Sequence, residues 1–109
     1  MSAFIVKMTS GARHDLRGIH AYIAGNDSRE KADYVARSIL RVIETFKELP
    51  MRGVHPPELL EIGNRNYREV FFKPYRVLYT VRENTAYVAL IADGRRDMHS
   101  LLSSRILER

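Results

Sequence analysis

The sequence predicts a single α+β domain in which an antiparallel two-helix hairpin packs on one face of an antiparallel β-sheet. Apolar residues recur at helical spacing through the first half of the chain, and the second half alternates apolar and polar residues as strands do. A chain of 109 residues is long enough for one hydrophobic core and too short for two. Residues 1–109 should therefore form one domain.

The first half of the chain predicts a strand and two helices. Residues 3–8 favour a strand, and the Thr-Ser-Gly sequence after them supplies a break and a helix cap. The first helix runs from Ala12 to a Gly-Asn cap at residues 25–26. Asp27 and Glu30 match the capping box of a second helix, which follows after only a few residues. The two helices should therefore form an antiparallel hairpin.

The second half predicts an irregular loop and a three-strand meander. The second helix should end near Pro50, because proline cannot continue a helix, and residues 50–66 lack periodicity. Alternation of period two then predicts three strands separated by turns at Pro74 and Asn84. Such short turns require antiparallel neighbours. The predicted strands are Tyr67–Lys73, Tyr75–Glu83 and Thr85–Ala92.

The middle strand of this meander has one apolar and one mixed face. The apolar face should receive the helical hairpin. The mixed face should stay free of helices and present an arginine-edged surface to a partner. The two sets are Tyr75, Val77, Tyr79 and Val81 on the apolar face, and Arg76, Leu78, Thr80 and Arg82 on the mixed face.

Charged residues cluster where the chain leaves the last strand. In the stretch from Gly94 to Met98, Asp97 is placed to cap a short C-terminal helix, which leaves Arg95 and Arg96 near the mixed face. The apolar side of this helix consists of Met98, Leu101, Leu102 and Ile106.

The composition favours an anionic partner. The formal net charge is +5, and 14 of the 18 basic residues are arginines, whose forked donors match carboxylates and phosphates. Either nucleic acid or an acidic protein segment satisfies that charge. The chain has no cysteine and no apolar run long enough for a signal peptide or a membrane span, so we expect a cytoplasmic protein without membrane contact.

The histidines and tyrosines give little sign of a cofactor or a base-stacking site. His14, His20 and His55 lack metal-ligand spacing, so neither a metal nor another cofactor is expected. Four tyrosines at period-two positions have rings suited to stacking on bases, but core packing is the more common use of such positions. They are Tyr67, Tyr75, Tyr79 and Tyr87.

Several short motifs, taken in order, carry a resemblance to a known family. They are Ala12-x-x-Asp15-Leu16-x-x-Ile19-x-x-Tyr22-Ile23, Leu49-Pro50, Tyr67-Arg68-Glu69, Pro74-Tyr75-Arg76-Val77-Leu78-Tyr79 and Asp93-Gly94-Arg95-Arg96-Asp97-Met98. Over nearly its whole length the chain resembles the RelE/ParE superfamily of toxins from bacterial type II toxin-antitoxin pairs. Members of the RelE type cut messenger RNA on the ribosome, whereas ParE members poison DNA gyrase, and the shared fold does not separate these activities.

The residues at the RelE catalytic positions favour the ParE branch. Cleavage of RNA needs an acid-base pair beside cationic donors. The resemblance places Arg76 and Arg96 at two cationic positions, but it places Leu102 where RelE has its catalytic tyrosine. The paired lysines of the RelE strand are replaced by a sequence with Arg68 and Glu69.

The resemblance therefore implies a toxin with no catalytic residues, which inhibits gyrase by binding it. Its implied partner is a ParD-like antitoxin, an acidic and largely disordered chain that folds on the toxin. Operator DNA would be contacted only through the antitoxin. The residues expected to bind the target or the antitoxin are Arg68, Arg76, Leu78, Arg82, Arg95 and Arg96.

Two alternative functions stay open. A ribosome-dependent endoribonuclease would use Arg76, Arg96 and His99, with Glu69 as a base. Against it, His99 suits a solvated first helical turn, and Glu69 suits a salt bridge to a neighbouring arginine. Arg76 and Arg96 likewise allow two interpretations: each guanidinium either binds an anionic target or forms a salt bridge with a carboxylate of the chain. The second alternative is a basic nucleic-acid-binding or regulatory module without toxicity.

Overall fold

A computed structural model describes residues 3–107, so the ends of the predicted domain 1–109 lie outside the described residues. The fold is α+β, as the sequence predicts. The elements in chain order are β1 (Ile5–Met8), α1 (Ser10–Asn26), α2 (Arg29–Glu44), a 3-10 turn (Thr45–Lys47), α3 (Pro57–Leu60), β2 (Arg68–Phe72), β3 (Tyr75–Arg82), β4 (Thr85–Asp93), α4 (Met98–Leu102) and a π-helical turn (Ser103–Leu107).

The sheet is mixed, with strand order β1-β4-β3-β2. The meander β2-β3-β4 is antiparallel, and its strands agree with the predicted ones within two residues at each end. β1 instead runs parallel to β4, with Ile5 opposite Thr85 and Met8 opposite Val88. The prediction of a wholly antiparallel sheet is therefore wrong for β1. Tight turns impose antiparallel pairing only within the meander, whereas the helical hairpin forms a crossover long enough for a parallel pair.

The helical hairpin has the predicted partners but different caps. The Thr9 hydroxyl accepts the Ala12 N–H at 3.1 Å and begins α1. That helix continues through Gly25, and its C-cap is Asp27. Ser28, and not Asp27, is the N-cap of α2, because its hydroxyl accepts the Lys31 N–H at 3.0 Å. The predicted Asp27 capping box is therefore wrong by one residue, and the Asp27 carboxylate pairs with the Lys31 ammonium at 3.3 Å.

The connection over residues 50–66 is more ordered than the sequence predicts. It contains the short helix α3, and Val54 forms an antiparallel bridge to Glu69 on the edge strand β2. Tyr79 on β3 is fully buried and holds the start of this connection in place. Its phenol donates to the Pro50 carbonyl at 2.8 Å and accepts the Gly53 N–H at 2.9 Å. A Cβ at Gly53 would lie 2.8 Å from the Tyr79 hydroxyl, so glycine is required at this close approach.

The main core lies between the helical hairpin and the apolar face of the sheet, as predicted. The Tyr79 ring stacks on Phe46 with centroids 3.9 Å apart. This stacking supports the interpretation of Tyr79 as a core residue. The buried members of this core are Ala12, Ile23, Ala32, Val35, Ile39, Ile43, Phe46, Val70, Val77, Tyr79, Ala86, Val88 and Ile91.

A second core covers part of the opposite face. Leu78 is fully buried there, so the prediction that it lies on an exposed, helix-free surface is wrong. The physical reason is that the apolar sides of α3, α4 and the π-helical turn bury themselves against the apolar part of the mixed face. The buried members of this second core are Leu59, Leu78, Leu90, Ala92, Met98, Leu102 and Ile106.

An irregularity in β4 sets which side chains reach this face. Leu78 pairs with Leu90 but the next residue, Tyr79, pairs with Val88, so Ala89 is an extra residue on β4. Such a bulge shifts the alternation by one residue, which is why Val88 and Ile91 both face the helical hairpin. No helix within residues 3–107 combines the length and the apolar character that crossing a membrane requires.

Candidate functional site

The Arg76 side chain lies between two carboxylates and is nearly buried. Its Nε donates to Glu69 Oε1 at 2.7 Å, and its Nη1 and Nη2 donate to the two carboxylate oxygens of Glu58 at 2.9 and 2.7 Å. Glu69 is 2% exposed and Arg76 is 9% exposed. We call these three residues the Arg76 cluster. β2, β3 and α3 each contribute one member, so the cluster joins α3 to the sheet.

The pKa values of the two carboxylates in the Arg76 cluster are shifted in opposite directions. Hydrogen bonding to Arg76 holds the pKa of Glu58 below its ordinary value. Burial raises the pKa of Glu69, and the hydrogen bond from Arg76 offsets that shift only in part. Two carboxylates around one guanidinium leave this cluster with a formal charge of −1 when all three groups are ionised. A negatively charged cluster disfavours the approach of a phosphate.

Among residues 3–107, neither Leu102 nor His99, the two residues considered for the acid of the nuclease alternative, hydrogen-bonds to Arg76. Leu102, at the position of the RelE tyrosine, is 1% exposed in the second core. The His99 imidazole lies on the surface, 3.1 Å from Glu61 Oε1, and that hydrogen bond raises the pKa of His99. Glu69 forms a salt bridge with Arg76, the structural role considered for Glu69 in the sequence. Arg96 is exposed and lines a different depression, next to α1.

Asp97 caps α4 as predicted, and Arg95 pairs with the preceding turn. The Asp97 carboxylate accepts the Ser100 N–H at 3.2 Å. Arg95 Nη2 lies 2.6 Å from Asp93 Oδ2, although the Arg95 side chain is 77% exposed. Its hydrogen bonds lower the pKa of Asp93. Exposed pairs of this kind contribute little to stability and remain available to an incoming ligand.

A second, half-buried ion pair fastens the C-terminal segment to α1. Arg105 donates from Nη1 and Nη2 to the two carboxylate oxygens of Asp15 at 2.9 and 3.1 Å. The same guanidinium donates to the Ala89 carbonyl, and Asp15 accepts the Ile91 N–H at 3.0 Å. These backbone groups of β4 lie beyond the point where β1 ends, so Asp15 and Arg105 replace the missing strand partner.

A concave, positively charged depression remains open where β2 begins and β3 ends. We call it the basic basin, and its volume is about 580 Å³. Arg65, Arg68 and Arg82 line it, together with Tyr67 and Thr80. No carboxylate from residues 3–107 lines it. Around Tyr67, Thr80 and Arg82, the basic basin includes the part of the mixed face that α3, α4 and the π-helical turn leave uncovered.

An aromatic groove lies at the end of the helical hairpin where α1 connects to α2. We call it the hairpin groove; its volume is about 470 Å³, and its lining includes Tyr22, Tyr34, Phe72, Tyr75 and Arg95. Tyr22 is 70% exposed and Tyr34 is 55% exposed, which is unusual for side chains of this size. Lys31 and Lys73 add positive charge to the rim, and Asp27, which also lines the groove, pairs with Lys31 at 3.3 Å. The groove therefore combines apolar area with cationic edges.

The predicted site residues are distributed over separate surfaces. Arg68 and Arg82 lie in the basic basin, and Arg95 and Arg96 lie beside α1. Arg76 and Leu78 are buried beneath the C-terminal segment. Sequence reasoning missed Glu58, Arg65, Asp15 and Arg105. Asp15 is part of the helix motif quoted above, but nothing in the sequence paired it with a residue 90 positions away. Among residues 3–107, no three potential ligand side chains converge in a way that would hold a metal ion.

The fold resembles solved toxin structures at low sequence identity. A chain of the chromosomal ParDE toxin-antitoxin system from P. aeruginosa superimposes with a TM-score of 0.70 and 17% identity, covering 84% of this chain and 96% of that one. A chain of the RelBE2 toxin-antitoxin complex from Mycobacterium tuberculosis gives a TM-score of 0.60 and 15% identity, covering 85% and 93%. A mutant of E. coli RelE in the free state gives 0.57 and 13%, covering 98% and 97%.

The sequence comparison is more specific than the fold. No curated protein sequence matches the chain significantly. Residues 6–98 match the family described as the ParE toxin of the type II toxin-antitoxin system parDE. That match spans β1 to the first residue of α4, and it confirms the family that the sequence motifs indicated. The chain is a type II toxin-antitoxin toxin and belongs to the ParE toxin family of the RelE/ParE superfamily.

Proposed function

We propose that this toxin inhibits DNA gyrase in the cytoplasm by binding it, that it does not cleave RNA, and that a ParD-like antitoxin neutralises it. The observation that carries the proposal is the state of the Arg76 cluster. At the place where RelE-type members stabilise the charge of a reacting phosphate, the guanidinium of Arg76 already donates to two carboxylates. Stabilising a phosphate during cleavage needs donors that are free to point at it.

The surroundings of Arg76 support the same conclusion. Leu102 has no proton to donate, and it is packed with Leu59, Leu78 and Leu90 in the second core. An RNA strand would also have to displace the Glu58 carboxylate before it reached the Arg76 guanidinium. The arrangement therefore favours a protein whose toxicity depends on surface recognition.

The hairpin groove supports an acidic antitoxin segment as the partner. Amphipathic segments bind by placing apolar side chains in such a groove, while their acidic side chains meet the cationic rim. Tyr22 and Tyr34 supply exposed aromatic area, and Lys31, Lys73 and Arg95 supply the charge. A Tyr22→Ser/Tyr34→Ser variant should bind the antitoxin at least tenfold more weakly in calorimetry and remain toxic. Unchanged affinity would exclude the groove as the antitoxin site.

The gyrase proposal is tested in cells and with purified components. Expression of the toxin without its antitoxin should produce filamentous cells, induce a DNA-damage reporter and leave messenger RNA intact. Purified toxin should reduce supercoiling by gyrase or increase the amount of cleaved DNA held by gyrase. If growth stops without a DNA-damage response, and supercoiling proceeds normally with excess toxin, the proposal is wrong.

A further inference from the structure

We propose that the basic basin binds the phosphate groups of a DNA strand, so that the toxin contacts DNA as well as protein in the gyrase complex. This inference rests on the gyrase function proposed above. It assigns a separate ligand to a surface distant from the hairpin groove.

The basic basin has the shape of a binding site. It is a concavity of about 580 Å³ between the start of β2, the end of β3 and residues 64–66. A second hollow of about 390 Å³ shares Tyr67, Thr80, Arg82 and Ile106 with it and extends to Tyr87. The two hollows form one continuous surface across three strands. Volumes in this range are typical of ligand sites.

The charge of the basic basin is not neutralised from within the described chain. Arg65 and Arg82 are exposed, and neither has a carboxylate oxygen within 4.0 Å among residues 3–107. Arg68 is half-buried, and its Nη1 donates to the Gly53 carbonyl at 2.8 Å, which fixes its direction. Three guanidinium groups on a surface without carboxylates attract anions, and their forked donors match phosphate oxygens.

The wall of the basic basin is held in place before any ligand binds. The Asn66 N–H donates to Asn64 Oδ1 at 2.9 Å, and Thr80 Oγ1 donates to the Asn66 carbonyl at 2.6 Å. These two bonds fix the loop that carries Arg65 against β3. A preformed wall reduces the ordering that a ligand must impose.

The side chains between the arginines favour a nucleic acid strand over an acidic peptide. Tyr67 and Tyr87 are only partly buried on this face, and exposed aromatic rings beside cationic side chains are the surfaces on which bases stack. Acidic amphipathic peptides need apolar surface, which the aromatic lining of the hairpin groove provides, whereas the lining of the basic basin is mainly polar. Among nucleic acids, we choose DNA because gyrase presents DNA to anything bound beside it.

Direct binding to short oligonucleotides tests the basic basin without gyrase. Fluorescence anisotropy would compare the wild-type chain with Arg65→Gln/Arg82→Gln and with Arg37→Gln/Arg41→Gln, which removes the same charge from exposed positions on α2. The probe is a labelled 12-nucleotide single-stranded DNA of mixed sequence. The Arg65→Gln/Arg82→Gln variant should bind the probe about tenfold more weakly than wild type. Its plot of log binding constant against log salt concentration should be less steep by about 1.4, the value for two lost phosphate contacts. The α2 variant should resemble wild type.

Three outcomes of this experiment would overturn the inference. Equal loss in both variants would mean that only net charge attracts the DNA. Tighter binding of the matching RNA would make RNA the ligand. Full displacement of the probe by an acidic peptide of equal charge would make the basin a peptide site.

A gyrase experiment separates this inference from the proposed function. The Arg65→Gln/Arg82→Gln toxin should still bind gyrase in a pull-down without DNA, but it should hold several-fold less cleaved DNA on the enzyme. If the wild-type toxin does not bind gyrase, the proposed function fails. The oligonucleotide experiment then decides by itself whether the basic basin binds phosphate. If the variant holds as much cleaved DNA as wild type, the basin does not act in the gyrase complex.

Discussion

Arg76 and Arg82 project from the same face of β3, yet their surroundings are opposite. Arg76 lies beneath α3 and the second core, where two carboxylates use its donors. Arg82 lies at the uncovered end of the strand, in a basin that no carboxylate of residues 3–107 lines. The difference arises from the segments that return over the sheet, not from the strand itself. An arginine on a strand therefore becomes structural or available for binding according to what covers it.

Removing Arg76 should give the largest effect and test the structural half of this comparison. Arg76→Met leaves the buried Glu69 and the partly buried Glu58 without a counter-charge, so the free energy of unfolding should fall by about 3–5 kcal/mol. Urea unfolding followed by circular dichroism measures it. The exposed Arg82→Met control should change stability by less than about 0.5 kcal/mol. Similar losses in both variants would contradict the distinction between the two arginines.

Releasing the C-terminal segment should have a smaller effect. In Asp15→Asn, the neutral side chain pairs poorly with Arg105 and keeps at most one acceptor for the Ile91 N–H, so we expect a loss of about 1–3 kcal/mol. Amide hydrogen exchange should accelerate at Ile91 and within α4. Asp33→Asn, which alters the half-buried pair between Asp33 on α2 and His20 on α1, is the control and should leave exchange in α4 unchanged. Unaltered exchange at Ile91 in Asp15→Asn would contradict the fastening role.

The pH dependence of stability should differ between the two carboxylates of the Arg76 cluster. The folded pKa of Glu58 lies below 4.5, so its contribution is present above that pH and is lost as the pH falls through the folded value. The stability difference between wild type and Glu58→Gln, on the order of 1 kcal/mol at pH 7, should therefore shrink on acidification.

Glu69 should show the opposite sign. Burial raises its folded pKa above 4.5, so its contribution is present at low pH and is lost as the pH rises through the folded value. The difference between wild type and Glu69→Gln should grow as the pH is lowered. Urea titrations at pH 7 and pH 4 measure both trends, and parallel trends in the two variants would contradict the assigned environments.

Replacing His99 should have the smallest effect. The imidazole is 66% exposed and contacts only the exposed Glu61 among charged partners, so His99→Ala should leave growth inhibition unchanged in a titrated expression assay. A large loss of toxicity would restore the nuclease alternative, in which His99 acts as an acid.

The helical hairpin and the meander were predictable because each depends on local patterns, whereas α3 lies in a stretch without periodicity and was not predicted. The stripe of α2 and the alternation of β3 fixed the helical hairpin, the meander and the face that joins them. The parallel pairing of β1 was not predictable from turn lengths, since it depends on where the hairpin crossover returns the chain. Ala89 gives no sequence signal for a bulge, because alanine fits either face of a strand.

The sites were less predictable because they depend on distant segments. Alternation correctly placed Arg76 and Leu78 on the face away from the hairpin, but it could not show that α4 and α3 bury them. The apolar side of the C-terminal helix was visible in the sequence, and it implied that some apolar surface must receive it. Glu58 lay in a region without periodicity, so its pairing with Arg76 could be found only in three dimensions.

The most direct test of the central claim is messenger RNA cleavage on the ribosome. Purified toxin would be added to a reconstituted translation reaction, and primer extension would map the 5′ ends of the message. If Arg76 is a structural residue enclosed by carboxylates, the message should stay intact at toxin concentrations that inhibit gyrase in parallel reactions. Codon-dependent cuts that require the ribosome would contradict the account.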